Sequence, residues 1–259
     1  MIISHKHQFI FIHCRKVAGS ALSAYLAKFL GDDDLQIGCW SDAYDRGVLP
    51  NSRAWRDIKH PLARCNYYAR LVLKNWGVSR NKRIVEALNG AQKIAYTRVL
   101  GPVPDHPTAA TLKAFAPIEW KTYFKFCFVR NPFERVISDY RWRTRKMRLR
   151  PPTFKEYLQF LDKHETWRSV VPLHYDNWPM YAISDAPDVD FIGRYEHLSE
   201  DFDKVLKHIG INGSGARLPI AKRLGERQDL KDWYGPVEQD LVERIFQREL
   251  EYFGYSLNG

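Results

Sequence analysis

Cysteine is scarce in this chain: four in 259 residues, at positions 14, 39, 65 and 127. Their separations form neither a Cys-x-x-Cys pair nor a zinc pattern, which excludes a cysteine-held structural metal and a redox dithiol. Cys14 and Cys127 lie in or beside apolar runs and read as small buried hydrophobes in reduced form, as expected of a cytoplasmic protein. Long apolar runs are also missing. The longest near the N-terminus is Phe9–Ile12, and no stretch approaches the ~18 residues a membrane helix needs. Neither a signal-peptide cleavage pattern nor an internal repeat is visible, so a chain without a membrane span, located in the cytoplasm, is expected. What the chain has in excess is positive charge, a formal net +10 with 45% hydrophobic residues. The apolar content suffices for a core. The charge favours polyanionic partners without choosing among nucleic acid, acidic glycan, anionic lipid and phosphorylated cofactors.

Two strand–turn–helix segments organise the chain. Residues 8–13 (Gln-Phe-Ile-Phe-Ile-His) read as a buried strand. After a loop, Leu22, Tyr25, Leu26, Phe29 and Leu30 recur at helical spacing, with Ser20 as N-cap and Gly31 as stop. Residues 123–129 form the second strand, and Asn131 and Pro132 are a natural cap and first helical residue. Between them, residues 61–100 and Thr108–Phe115 read as helical. Further on, 151–170 reads as a helix, Val189–Gly193 as a strand, Glu200–Ile209 as an amphipathic helix, and Pro236–Phe253 as one closing helix. Residues 212–236 read as a loop. Alternation of this kind predicts an α/β fold with a central, mostly parallel sheet flanked by helices, binding ligands beyond the carboxyl ends of its strands. One domain over residues 1–259 is expected, with a mainly helical insertion at about 32–120.

The loop His13-Cys14-Arg15-Lys16-Val17-Ala18-Gly19-Ser20-Ala21 joins the first strand to its helix. N–H groups at a helix start favour an anion, Gly19 permits close approach, Ser20 adds a hydroxyl and Lys16 a mobile charge. The order differs from the G-x-x-x-x-G-K-[ST] of nucleotide kinases, because Lys16 precedes Gly19 and Ser20. The second strand ends in Arg130, a cation where a magnesium-dependent enzyme places an acid. Ser138 lies seven residues after the cap Asn131, close to two helical turns, so the Arg130 guanidinium and a hydroxyl can converge on one phosphate. The alternatives are a solvated lysine and an ordinary capped helix.

At these two stretches, Phe-Ile-His-Cys-Arg-Lys-Val-Ala-Gly-Ser-Ala-Leu and Phe-Val-Arg-Asn-Pro-Phe-Glu-Arg-Val-Ile-Ser-Asp-Tyr, the sequence resembles the PAPS-dependent sulfotransferases. PAPS is 3′-phosphoadenosine 5′-phosphosulfate. The likeness is to the carbohydrate (Golgi-type) branch and its bacterial relatives, and Phe-Ile-Gly-Arg-Tyr-Glu-His-Leu at 191–198 and Glu-Leu-Glu-Tyr-Phe-Gly-Tyr near the C-terminus extend it. The resemblance implies a P-loop-like three-layer fold and sulfuryl transfer from PAPS to an acceptor hydroxyl, without metal, leaving 3′,5′-adenosine bisphosphate (PAP). It implies that Lys16 neutralises the leaving oxygen, that Ala18, Gly19, Ser20 and Ala21 hold the 5′-phosphate, and that Arg130 and Ser138 hold the 3′-phosphate. Tyr195 is placed beside the adenosine, with a core tyrosine as the alternative. Arg15 stands where relatives carry Pro and Ala18 where they carry Gly; Ala18 is expected to fit with a negative φ, and Arg15 either adds charge near the cofactor or faces solvent. By the resemblance the base would be a histidine or a glutamate, with His106 as first choice, then His174, His60 and His13.

The acceptor stays open between a carbohydrate and a small-molecule alcohol or phenol. The six basic residues between Arg141 and Arg150 read either as a solvated helix face or as a track for an acidic glycan. Trp40, Trp55, Trp76, Trp167 and Trp178 are either sugar platforms or core. A nucleotide kinase and a non-enzymatic polyanion binder are the remaining alternatives; no nucleic acid partner is expected.

Overall fold

The computed structural model describes residues 1–73, 77–147, 150–167, 171–172, 175–212 and 230–258. Its strands are β1 (Ile2–Ser4), β2 (Phe9–Ile12), β3 (Leu35–Gln36), β4 (Phe124–Val129), β5 (Ala182–Ile183), β6 (Ala186–Pro187) and β7 (Phe191–Arg194). The helices in the first half are α1 (Gly19–Leu26), α2 (Trp40–Tyr44), α3 (Ser52–Asp57), α4 (Pro61–Leu73), α5 (Arg80–Leu100), α6 (Ala109–Phe115) and α7 (Pro117–Thr122). Then come α8 (Pro132–Thr144), α9 (Phe154–Asp162), α10 (Trp178–Tyr181), α11 (Leu198–His208), α12 (Pro236–Ile245) and α13 (Gln247–Phe253). The described residues fall into two compact units. One takes them from Met1–Cys14, Ala18–Phe128 and Pro179–Ala221, the other from Arg15–Val17, Val129–Trp178 and Lys222–Gly259.

The first unit carries a mixed sheet in the order β3-β1-β2-β4-β7. Its middle is the parallel β2–β4 pair, with Phe9 opposite Phe124 and Ile12 opposite Cys127. Both strands are apolar because both faces are covered, and Phe11 stacks on Phe126 at 5.2 Å between ring centroids. Burying each such ring contributes about 1.5–3 kcal/mol. β1, inside the sheet, pairs antiparallel with β2 and with the edge strand β3; neither β1 nor β3 was expected. Lys125 is buried in β4 and bonds Asp190 at 2.7 Å, fixing the segment that leads into β7. Helices α2–α5 surround the fully buried Trp40, whose Nε1 donates to the Gln36 carbonyl (3.1 Å) and to Gln92 Oε1 (3.2 Å). Small residues such as Ala43, Ala54, Ala63 and Ala91 let those helices approach. The helix expected at Thr108–Phe115 is α6, with Thr108 as its N-cap.

The second unit packs α8, α9, α12 and α13 around Phe133, Val136, Tyr157, Leu158 and Val242. Asn131 accepts from the Phe133 N–H and so caps α8, with Pro132 as the first residue. Within this core Arg135 and Glu249, both nearly inaccessible, form a buried ion pair.

Several expected boundaries move. Ser20 is not the cap of α1; Ala18 is, and Ser20 lies inside the first turn. Helix α9 stops at Asp162 instead of 170, after a capping box of Thr153 and Glu156, and His164 then takes a left-handed φ of 54°. The single closing helix is two, broken at Phe246. Most of the expected loop 212–236 lies outside the described residues; of its end, Leu230–Trp233 is a 3₁₀ turn.

Candidate active site

In the first unit, the polypeptide enters α1 through Ala18 with φ 64° and ψ 15°. This corrects the expectation of a negative φ. Left-handed backbone costs an alanine roughly 1–2 kcal/mol, so the turn is held against a local penalty. The next residue must be glycine for a steric reason: a Cβ on Gly19 would fall 1.9 Å from Cδ2 of His13. Ser20 is exposed, and the Cys39 thiol lies 3.6 Å from its Oγ. The Ala21 N–H donates to the Ala18 carbonyl at 2.9 Å, so it is spent inside the turn. The earlier donors of the first turn are those that an α-helix leaves without intrahelical partners.

His13 links this turn to His106. The His106 Nδ1 stands 2.6 Å from the His13 carbonyl oxygen, and the two rings are 4.6 Å apart. A carbonyl only accepts, so Nδ1 carries the proton and Nε2 is the nitrogen left to take one. Asp105 Oδ2 is 3.7 Å from that Nε2 and 2.5 Å from Lys93 Nζ. Burial pushes the Asp105 carboxyl up, but His106 and Lys93 outweigh it and hold it below the usual carboxylate range. Of the other histidines, His60 is exposed at the start of α4, His13 is buried, and His174 lies outside the described residues. Tyr195 begins a 3₁₀ turn just after β7 and is half-buried rather than core.

The second unit holds the lysine. Arg15 is clamped at its backbone: its N–H donates to Asn177 Oδ1 (3.0 Å) and its carbonyl accepts from Asn177 Nδ2 (3.0 Å). The Arg15 side chain reaches the Asp176 carbonyl, so it is tethered beside Lys16 and not simply solvated. Lys16 has a left-handed φ of 62° and its ammonium lies 5.2 Å from the centre of the Trp142 ring. Its pKa is lowered to about 8, first by burial; Asp139 opposes this, while Arg145, Arg143 and Arg130 add to it. Asp139 also accepts from Arg143 Nε (2.8 Å) and the Tyr157 hydroxyl (2.7 Å). Arg15, Lys16, Arg135, Asp139 and Tyr175 line one small cleft in this unit.

Arg130 leaves the end of β4 and bonds Glu134 through Nε (3.1 Å) and Nη2 (2.8 Å). Glu134 and Ser138 are four apart on α8, so the expected guanidinium and hydroxyl share a helix face, with a carboxylate between them. Three residues of the basic run, Arg141, Arg143 and Arg145, have partners within the unit, so they are not simply a solvated face. The run straddles the end of α8: Arg141 stacks on Trp233 at 4.9 Å, Arg143 pairs with Asp139, and Arg145 stacks on Trp142 at 5.1 Å. Arg148 lies outside the described residues, as does Trp76. Trp40 and Trp178 are core residues, Trp167 is half-buried, and Trp55 is partly exposed. Among the described residues no cluster of His, Cys, Asp and Glu has the makings of a metal site.

Sequence reasoning missed Asp139, Trp142 and Asn177. Asp139 follows Ser138 directly and sits on the adjacent face of α8; its acidic side chain among arginines was the available signal. Nothing local marks Asn177, which acts 162 residues from its partner.

The Arg15–Lys16 turn, the Arg130 end of β4 and the Gly19 helix start coincide with the stretches that carry the resemblance. The sulfotransferase family profile matches residues 1–256. The chain is 25% identical to carbohydrate sulfotransferase 10 of Rattus norvegicus over 70% of its length and 62% of the relative's. It is 26% identical to carbohydrate sulfotransferase 14 of Danio rerio, over 74% of this chain and 59% of that one. It is likewise 26% identical to carbohydrate sulfotransferase 11 of Danio rerio, over 78% and 66%. The chain thus spans about three fifths to two thirds of these curated relatives. No solved structure matches it significantly. On the match across almost its entire length, the chain belongs to the sulfotransferase family.

Proposed function

We propose that the protein transfers a sulfuryl group from PAPS to a hydroxyl of a carbohydrate, within one P-loop-like domain. The observation that carries this reading is Lys16: a half-buried ammonium facing Arg130, Arg143 and Arg145, with Asp139 as the carboxylate that opposes them. Such a cation set is costly without an anion and is relieved by one. Arg130 at a strand end, where a magnesium enzyme would carry an acid, favours a second phosphate over a metal.

PAPS, when bound, supplies an activated sulfuryl group on a phosphate leaving group. The S–O bond to that phosphate breaks as a bond forms from sulfur to the acceptor oxygen, whose proton must leave. Lys16 would neutralise the charge that grows on the departing oxygen, a contribution of transition-state electrostatics. The first-turn N–H groups of Gly19 and Ser20 would hold the 5′-phosphate, assisted by the Ser20 hydroxyl. Arg130 and Ser138 would hold the 3′-phosphate, which ATP lacks, with Glu134 yielding part of the guanidinium. Tyr195 would flank the adenosine. His106 would take the acceptor proton at Nε2, its Nδ1–H anchored on the His13 carbonyl.

The names of the relatives support a carbohydrate acceptor, and Trp142, 45% exposed and ringed by Arg143 and Arg145, supports an acidic one. Labelled PAPS with a panel of neutral glycans, acidic glycans, phenols and small alcohols tests the reading. Transfer to a glycan is expected; transfer confined to a phenol or small alcohol would reject the carbohydrate assignment, and no transfer to any acceptor would reject the activity.

A further inference from the structure

The surroundings of His106 contain a charge arrangement that the reading above does not use. Asp105 immediately precedes His106, and its backbone carbonyl accepts from the Met1 α-amino group at 3.2 Å. That amino group also donates to the Ile37 carbonyl at 3.0 Å, so the Asp105 peptide is tied to the sheet edge. One carboxylate oxygen, Oδ2, faces two basic groups at once: Lys93 Nζ from α5 at 2.5 Å and His106 Nε2 at 3.7 Å. The other oxygen, Oδ1, is buried without a hydrogen-bond partner among the described residues. Gly38 closes the space on the remaining side, where a Cβ would come within 3.0 Å of the Asp105 Cβ. The carboxylate is therefore fixed, buried and only partly satisfied, at the nitrogen proposed to accept a proton.

We propose that Asp105 is a positioning residue whose carboxylate, shared between Lys93 and His106, receives the positive charge that His106 gains when it takes the acceptor proton. This rests on His106 being the base. In the step, the acceptor O–H bond breaks and an N–H bond forms at Nε2; Asp105 stays ionised and takes up no proton. The charge so gained stands 3.7 Å from Oδ2, on a carboxylate shared with Lys93. Lys93 thus works against the base: the more firmly it holds Asp105, the less of the carboxylate is offered to His106. The remaining titratable groups on this pocket are His13, whose ring lies 4.6 Å from that of His106, and Cys39, whose thiol is 3.7 Å from His13 Nδ1 and is pushed up by burial. The Met1 amine, brought down to about 6 by burial, titrates in the range of a histidine, so an activity profile alone would mix the two.

The test is site-resolved NMR titration of ¹³C-labelled histidine, with His106→Ala to assign the signal, alongside kcat against pH with PAPS and a responsive acceptor. Asp105→Asn should lower the His106 pKa by about one unit, tenfold in proton affinity, and should lower kcat with little change in the KM for PAPS. Lys93→Met should move the same pKa upward. Asp105→Glu should restore part of the wild-type titration. If Asp105→Asn does not fold, Lys93→Met decides alone: an upward shift supports the inference and an unchanged titration overturns it. Shifts of the same sign in Asp105→Asn and Lys93→Met would also overturn it. Turnover retained in His106→Ala would remove the base assignment and this inference with it. Turnover lost in His106→Ala, with an unshifted titration in Asp105→Asn, would overturn the inference alone.

Discussion

Around Lys16, Asp139 is pulled by both the lysine and Arg143, and Arg145 stacks on Trp142 instead of on a carboxylate. Around His106, a single carboxylate stands between two bases and one of its oxygens is unsatisfied. The first set carries more cations than carboxylates, with Lys16 and three arginines around Asp139 and Glu134; the second sets a carboxylate beside a histidine. A sulfuryl transferase needs both, because negative charge develops on the leaving phosphate while a proton leaves the acceptor. The two surroundings also differ in how they are held. A side chain, Asn177, clamps the turn at Arg15, whereas His106 is held by a backbone carbonyl.

The sharpest way to break this contrast is to remove the lysine. Lys16→Ala should lower the single-turnover rate with labelled PAPS by at least ~100-fold, the scale of about 3 kcal/mol lost from a preorganised electrostatic contact. Calorimetry should find PAP still bound by the variant, through Arg130 and Ser138. Equal rates in variant and wild type would separate the cation cluster from the chemistry. Gly19→Ala acts on the histidine side, since the new methyl must displace the His13 ring and with it the carbonyl that holds His106. Overpacking of this kind costs about 1–3 kcal/mol in denaturant unfolding, and the His106 NMR signal should move. A smaller effect belongs to Asn177→Ala, which releases both backbone groups of Arg15. It should cost about 1–2 kcal/mol and weaken PAP binding, leaving the His106 signal in place. Smallest is Ala18→Gly, which relieves a left-handed alanine and should raise stability by up to about 1 kcal/mol.

How far the sequence discloses this arrangement depends on the range of the interactions involved. Phe9–Ile12 and the apolar 124–129 run announce the parallel strands because burial on both faces leaves a continuous hydrophobic signature. Asn131-Pro132 and Thr108 mark helix starts because a cap is a local interaction. The strands β1 and β3 were not legible, since three and two residues carry no readable period. The break at Phe246 was hidden for another reason: apolar spacing continues across it while the backbone does not. In the candidate site, Lys16 stood out as a cation in the loop between strand and helix and Arg130 as one at a strand end. Asp139 and Asn177 did not, because what they do is set by distant segments meeting. The left-handed φ at Lys16 and Ala18 was likewise invisible, since neither residue type signals it.

The central claim, that Lys16 awaits an anion from a doubly phosphorylated adenosine, is most directly tested by calorimetric titration with PAP on both sides of pH ~8, where the free lysine is half-ionised. Below that pH the ammonium is already present; above it, binding must also protonate the lysine. PAP affinity should therefore fall as pH rises through ~8, with proton uptake visible as a buffer-dependent enthalpy, and Lys16→Ala should remove both effects. PAP binding without pH dependence or proton uptake, or tighter binding of ATP–Mg²⁺ than of PAP, would contradict the account.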